Sequence, residues 1–495
     1  MEGTGEYQEA ALDFLYLAVR LSLLVLVACI TQREDLMSVI EHISDEYSRS
    51  RALSMLVLPA AARVLEIELS QPLPIITAFD NKVQVCYERV FCLIRFHTQP
   101  LGILQFQFHS DELLPEDYTP AIWQTFHQVL LHHLEEDGLP PINEIRVEGL
   151  PYYGLPRCIA ERERFLADPP FASVIIPTRD RPESLTKCID ALVKLHYPHY
   201  EIIIVDNAPG TQKTADLVQK TYQHIPNLHY VREDSPGISY ARNRGMDEAR
   251  GEILAFTDDD VVVDTYWLAQ CAMAFEQSSE IACVTGYTLP LELDTPAQIW
   301  FEDVRKFENG EVNDKFVPRF FDKKMRYKYL YRGNLCGHGA NMAARAGFLR
   351  SIGGFDVALG AGSPAMAGED IAFFLHVIMH NKILAYEPKA LVYHLHRRNY
   401  DKLHQQMFAY GVGFIAYLMH MLSRYPVLWI DLLTRTPYDI LYTFLVRKSQ
   451  KSTYYPGALV AAKFKGVFYG PIAYIKSRLS TRNAVKYKVG SLKNH

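Results

Sequence analysis

Gly251-Glu-Ile-Leu-Ala-Phe-Thr-Asp-Asp-Asp260 is the stretch on which the fold turns. Ile253 to Phe256 form a short apolar run, the pattern of a buried strand, and the run ends on three consecutive carboxylates, Asp258, Asp259 and Asp260. Adjacent like charges repel, so a fold that holds them together gains from a cation. Hard oxygen ligands suit Mg²⁺ or Mn²⁺, ions that also take substrate phosphates. In open α/β sheets, ligands sit beyond the carboxyl ends of the strands, which is where this run would deliver its charges. A solvated acidic turn is the alternative that this stretch alone leaves open.

The segments on either side repeat the arrangement. Upstream, Ser173-Val-Ile-Ile-Pro177 reads as an apolar strand followed by the polar loop Thr178-Arg-Asp-Arg-Pro182. A helix follows, with Pro182 and Glu183 in its first turn and Leu185, Ile189, Leu192 and Val193 on its apolar face. Tyr200 to Val205 is a second strand, ending on Asp206 and Asn207; Thr211 to Gln223 is a helix, and Leu228 to Val231 a third strand. Gly237 opens a turn into a helix over Ile238 to Arg250 that carries Arg242, Asn243 and Arg244. Strands alternating with helices predict βαβ units. Right-handed connections then bring the two polar loops and the Asp triplet to one sheet edge. Neither G-x-G-x-x-G nor G-x-x-x-x-G-K-[ST] occurs, which argues against a dinucleotide dehydrogenase or a P-loop enzyme.

Downstream, Ile281 to Leu289 reads as a further strand. Residues 290–335 are aromatic and charged without a clean period, either a substrate-covering excursion or an ordinary surface insertion. Gly360-Ala-Gly-Ser-Pro-Ala-Met-Ala-Gly368 is a small-residue loop that delivers Glu369 and Asp370 to the start of a helix over Ile371 to His380. Those carboxylates could be catalytic or could cap the helix. Strands at Ile383 to Tyr386 and Leu391 to Tyr393 lead to His394-Leu-His-Arg-Arg398, in which His394 and His396 share a strand face.

The chain of 495 residues is long enough for two or three domains. A net charge of −6 without a dominant basic stretch gives no reason to expect a nucleic-acid partner. Eight cysteines, mostly in apolar runs and without zinc-type spacing, point to a reducing compartment and no disulfide framework. The divisions expected are an apolar extension or helix over 1–36, a small α+β domain of unknown role over 37–150, a linker over 151–170, an α/β catalytic domain over 171–400, and a helical, membrane-associating or packing region over 401–495. In the first, Phe14 to Ile30 is interrupted by Arg20 and falls short of a clean span, leaving a buried helix, an anchor, or an extension before a start near Met37. In the second, a helix over residues 37 to 58 precedes short strands around Val83 to Tyr87, Cys92 to Phe96 and Leu104 to Phe108. A turn is expected at Gln99-Pro-Leu-Gly102, then a helix from Tyr118 to Glu136 whose apolar face is Ile122, Phe126, Val129, Leu130 and Leu134. His132 and His133 point to different sides of that helix and read as satisfied or solvent-facing.

Val174-Ile-Ile-Pro-Thr-Arg-Asp-Arg181, Ile204-Val-Asp-Asn207, Gly237 with Ala241-Arg-Asn243 and Gly245, the Asp258–260 triplet, Gly368-Glu-Asp370 and His394 come in an order that resembles the family-2 inverting glycosyltransferases of the GT-A fold, of bacterial type with an additional N-terminal domain. The resemblance covers residues ~171–400, roughly half the chain, and it rests on six motifs in order. It implies a GT-A fold with a mostly parallel central sheet, a nucleotide-sugar donor (UDP- or dTDP-linked by default), an Mn²⁺ or Mg²⁺ ion, and a glycan, lipid-linked or protein acceptor in glycan or surface polysaccharide biosynthesis. It places the protein in the cytoplasm, with a possible peripheral site at the inner face of the membrane. By the resemblance, Pro177, Thr178, Arg179, Arg181 and Asp206 meet the base and ribose, and Arg242 and Asn243 lie near the ribose and phosphates. Asp258 and Asp259 are on the donor side and Asp260 ligates the metal. Asp370, with Glu369 as the competing choice, is the catalytic base, and His394, with His396 as its competitor, adds a metal ligand. A non-catalytic nucleotide-sugar-binding scaffold and a nucleotidyltransferase are the rival readings. The second would bring a glycine-rich loop after the first strand, which is not found here.

Overall fold

A computed structural model describes residues 60–150, 154–309, 316–326, 333–431 and 456–492. The expectations for 1–36 and for a helix over 37 to 58 lie outside these residues.

The chain enters through a small sheet of β1 (Ala62–Glu68), β2 (Arg89–Phe96) and β3 (Gln99–Gln107), in the order β1-β2-β3. Helix α1 (Pro115–Glu136) covers it, burying Tyr118, Ile122, Phe126, Leu130 and Leu134. Val129, expected on that face, is instead 49% exposed. The turn expected at Gln99–Gly102 is also misplaced. Gln99 already pairs with Phe96, and the hairpin turns at His97 and Thr98, whose φ angles of 51° and 67° are the left-handed values that a two-residue hairpin loop needs. Gly102 is small for another reason: a Cβ there would lie 2.3 Å from the Phe126 ring of α1. The 151–170 linker contains a helix, α2 (Arg157–Leu166). Its buried side is Arg162 and Leu166, so its period does not show as an apolar stripe. The Arg162 guanidinium lies 3.6 Å from the Tyr266 ring centre and donates to Thr98 Oγ1 at 2.6 Å.

The main sheet follows. Its strands are β4 (Ala172–Thr178), β5 (Tyr200–Asn207), β6 (Leu228–Glu233), β7 (Ile253–Thr257), β8 (Val261–Val263), β9 (Ile281–Pro290), β10 (Arg319–Phe321), β11 (Asn341–Arg345) and β12 (Ile383–His394). The order is β6-β5-β4-β7-β11-β9-β12-β8, with β10 also on β12. Six of these strands run one way, and β8, β10 and β11 run the other. The architecture is therefore α/β with a mostly parallel central sheet. The helices between strands are α3 (Pro182–Leu192), α4 (Lys213–Thr221), α5 (Ile238–Glu248) and α6 (Trp267–Glu276). Helix α5 approaches the sheet closely because Gly245 has no side chain: a Cβ would lie 2.3 Å from Ile175 Cγ2. The two short strands expected near 383 and 391 are one long β12, with a register shift opposite Gly286 and Tyr287 of β9.

Within 290–335 lies a helix, α7 (Pro296–Asn309), whose Trp300 and Phe301 pack on Leu403 and Met407 of α10 (Tyr400–Arg424) and on Leu459 of α11 (Gly457–Leu492). Two further helices, α8 (Ala346–Ser351) and α9 (Glu369–Met379), complete the fold. Helices α10 and α11 meet at reciprocal glycines, since a Cβ on Gly411 would lie 1.9 Å from the Lys463 carbonyl and one on Gly466 2.1 Å from that of Phe408. Among the described residues, no helix is long and apolar enough to cross a membrane.

Where α9, α10 and α11 converge, a proton chain is fixed by its partners. An Arg478 N–H donates to His420 Nδ1 at 2.6 Å, so His420 carries its proton on Nε2 and offers it to His376 Nε2 at 3.2 Å. His376 then donates from Nδ1 to the Tyr425 hydroxyl at 2.7 Å. Burial, with the positive field of neighbouring histidines and arginines, pushes His376 down to about 3; burial likewise takes His420 to about 4, against the pull of Asp356. Both folded-state values lie below the unfolded value of about 6.5, so folding excludes the proton. The stability these groups contribute is present above about pH 6.5 and is lost as pH falls toward 4 and 3, a swing on the order of a few kcal/mol. We predict that the urea midpoint falls steeply between pH 7 and pH 5 and that His420→Gln flattens the dependence. Equal slopes for the two proteins would remove these histidines as the cause.

Candidate active site

The ends of β4, β5 and β7, the start of α9 and the end of β12 bring their polar side chains together at the sheet edge. Strand β7 ends at Thr257 and the carboxylates follow, as the sequence predicts. They differ in surroundings. Asp259 is buried, accepts from Thr178 Oγ1 at 2.7 Å and from Arg181 at 3.2 Å, and is pushed up to about 6 by burial and by the charge of Asp260. Asp260 is held well below the usual carboxylate range: burial opposes ionisation, but His394 at 3.1 Å and the guanidinium groups of Arg181 and Arg397 outweigh it. Asp258 is 27% exposed, and burial raises its pKa against the pull of Arg242. Ligand atoms of Asp258, Asp260 and His394 all lie within 4.8 Å of one another. Two carboxylate oxygens and an imidazole nitrogen at this spacing are a donor set fitted to Mn²⁺ or Mg²⁺.

The neighbouring histidine has another role. His396 is buried, with Nδ1 3.2 Å from Nδ1 of His394 and Nε2 3.2 Å from Glu302 Oε2 of α7. It braces His394 from behind and does not face the carboxylates, an arrangement that orients a metal-binding imidazole.

Arg242 of α5 ties these segments together. It is fully buried, donates to Glu369 Oε1 at 2.9 Å, to Asp258 Oδ1 at 3.2 Å and to the Gly339 carbonyl at 3.2 Å. Gly368 ends the small-residue loop at φ 96°, and α9 begins with the two carboxylates. Glu369 turns inward to Arg242, and burial together with the charge of Asp370 pushes it up to about 7. Asp370 is only partly buried; its Oδ2 accepts from the Gly339 amide at 2.8 Å and its Oδ1 from the Ile371 amide at 2.8 Å. These contacts orient the carboxylate, which stays partly exposed.

On the far side, Asp206 closes β5. It is fully buried, accepts from the Tyr230 hydroxyl at 2.9 Å on Oδ2, and has no hydrogen-bond partner at Oδ1. Burial raises its pKa, although Tyr230 and the hydroxyl of Thr214 pull the other way. Pro177 lies within β4, paired with Val205, and shapes the wall. Arg179 is exposed on the loop.

Thr178, Arg181, Arg242, the Asp triplet, Glu369, Asp370 and His394 thus come together, with Asp206 at the margin. Asn243 does not join them: its amide nitrogen donates to the Phe355 carbonyl and its oxygen accepts from the Phe355 amide, both at 2.8 Å, so it fastens the turn after α8. Sequence reasoning gave no role to Asp180, whose carboxylate accepts from the amides of Gly210 and Thr211 and from the Thr211 hydroxyl, joining the first two strand-end loops. It also missed Arg397, Glu302 and the Gly339 backbone. The basic pair after His396 was the only signal among these.

Comparison with known proteins agrees with the geometry. Over 103 residues the chain is 39% identical to the glycosyltransferase AglE of Haloferax volcanii, covering 20% of this chain and 33% of that protein. Over 131 residues it is 30% identical to the putative teichuronic acid biosynthesis glycosyltransferase TuaG of Bacillus subtilis, covering 26% and 50%. The chain thus spans half or less of these curated relatives. Among solved structures, the mannosyltransferase PcManGT of Pyrobaculum calidifontis in complex with GDP-Man and Mn²⁺ aligns with a TM-score of 0.37 at 17% identity, over 66% of this chain and 81% of that one. Residues 173–353, which include the Asp triplet and Arg242, match the model of Glycosyl transferase family 2.

Proposed function

We propose that this protein moves a sugar from a nucleotide-diphosphate sugar to an acceptor hydroxyl with inversion at the transferred carbon. The observation that carries the reading is the pairing of a cation-type donor set, Asp258, Asp260 and His394, with an oriented carboxylate, Asp370, linked through Arg242 and the Gly339 backbone. Asp206 at the end of β5 and the loop of Thr178 to Arg181 receive the nucleoside, UDP or dTDP by default. Asp260 and His394, with Asp258, would hold Mn²⁺ or Mg²⁺. When bound, the ion supplies Lewis-acid stabilisation of the charge that gathers on the leaving diphosphate. Arg181 and Arg397, already within ion-pair distance of Asp260, add positive charge there. Asp370 takes the proton of the acceptor hydroxyl as that oxygen attacks the sugar carbon from the face opposite the diphosphate. Acceptors of this chemistry are hydroxyls of a glycan, a lipid-linked glycan or a protein.

The test is thermal stabilisation by UDP, GDP, dTDP and CDP, each with Mn²⁺ or with chelator. A ligand at roughly 100 times its Kd adds about 2.7 kcal/mol. We expect one nucleotide to raise the melting temperature only when metal is present, and Asp260→Asn to abolish the increase. A shift that ignores both chelator and the substitution would overturn the metal role; no shift with any nucleotide would overturn the donor class.

A further inference from the structure

Far from the sheet edge, three segments meet at four side chains that the transfer reaction does not use. His97 sits at the left-handed turn between β2 and β3, His133 and Asp137 lie at the end of α1, and Cys158 is in the first turn of α2. His97 Nδ1 is 2.7 Å from Asp137 Oδ2 and 3.2 Å from His133 Nε2. His133 Nε2 is 3.1 Å from the same carboxylate oxygen and 3.8 Å from Cys158 Sγ, and that sulfur is 3.1 Å from Asp137 Oδ2. All four ligand atoms fall within 4.8 Å of one another. Zinc bonds of about 2.0–2.3 Å in a tetrahedron put ligand atoms roughly 3.3–3.7 Å apart. The observed set brackets that range and needs only small side-chain adjustments to meet it.

We propose that His97, His133, Asp137 and Cys158 form a structural zinc site that fastens the N-terminal sheet to the helix leading into the catalytic sheet. The ligand set is the first argument. Two imidazoles, a thiolate and a carboxylate at tetrahedral spacing favour zinc over Mg²⁺ or Ca²⁺, which prefer six or more oxygens. Charge is the second. One thiolate and one carboxylate neutralise Zn²⁺, so the assembled site carries no net charge into an environment where His97 is 2% and Asp137 9% exposed. Binding as a thiolate displaces the Cys158 thiol proton to solvent. Further contacts already orient the ligands: the Cys158 amide donates to Asp137 Oδ1 at 2.7 Å and the His97 amide to Glu68 Oε1 at 3.0 Å. Four protein ligands fill the coordination shell, which is the mark of a structural and not a catalytic zinc.

The experiment uses the full chain stripped with chelator and then titrated with Co²⁺ or Zn²⁺. We expect about one tightly held zinc per chain by elemental analysis, unchanged in Asp260→Asn, and a thiolate-to-cobalt charge-transfer band in the near ultraviolet. The band reports sulfur ligation, which the catalytic donor set lacks. Cys158→Ser should abolish it, and His133→Ala should lose the zinc. Absence of both stoichiometric zinc and the cobalt band in the wild-type chain overturns the site without relying on any variant to fold. A band that persists in Cys158→Ser would assign the metal to another cysteine and overturn it equally.

Discussion

Asp370→Asn is expected to reduce sugar transfer by roughly 10²–10⁴-fold while leaving nucleotide binding within a few-fold of wild type. The asparagine keeps the size and can still accept from the Gly339 amide, so the loop and α9 stay in place; what is lost is the site that takes the acceptor's proton. The measurement is a product assay beside calorimetric titration with the nucleotide that the stabilisation panel identifies. Glu369→Gln is the comparison that gives the result meaning. Glu369 shares the helix start and is pushed up to about 7 by burial and the charge of Asp370, but its carboxylate is turned onto Arg242. A collapse in Glu369→Gln with near-normal turnover in Asp370→Asn would exchange the two roles.

Arg242→Met should be the most destabilising single change in the catalytic region. The guanidinium is fully buried and holds Asp258, Glu369 and the Gly339 carbonyl together. Taking away one partner of a buried ion pair costs roughly 3–5 kcal/mol, because the remaining charges are left without compensation. Here two carboxylates lose their cation, and the melting temperature should drop on the order of 10 °C. Arg242→Lys should recover little, because one ammonium cannot reach three acceptors in the geometry of a planar fork. A melting temperature within about 2 °C of wild type for Arg242→Met would show that water or rearrangement replaces the arginine, contrary to the packing described.

The sheet edge was legible in the sequence because its signals are local. The apolar run Ile253–Phe256 followed by carboxylates states both a strand and its chemistry, and the right-handed connection rule supplies the rest. Arg242 could be flagged as a residue near the phosphates, but its burial between Asp258 and Glu369 joins positions 16 and 127 residues away in the chain, which no local pattern encodes. Asn243, next to it, shows the limit of a motif: adjacent helix residues face different ways, and only the arginine faces the site. The His97–Thr98 turn was hidden because neither residue is glycine, while Gly102, a real glycine signal, answers to the Phe126 ring and not to a turn. The histidine–cysteine cluster was invisible for the same reason as Arg242: its members are separated by 36, 4 and 21 positions.

The glycine at the head of α9 bears on how far along the chain the proposed site is built. Gly368 packs directly on α10: a side chain there would lie 2.7 Å from the Gly413 carbonyl, and one on Gly413 would lie 2.5 Å from Ala367. The backbone that aims Glu369 and Asp370 therefore rests on a helix that begins at Tyr400, well beyond residue 353, where the family likeness stops. Inheritance and mechanics draw different borders through this chain. The matched segment holds the Asp triplet and Arg242, while the loop bearing Glu369 and Asp370 lies past its end and takes the later helix as its anvil.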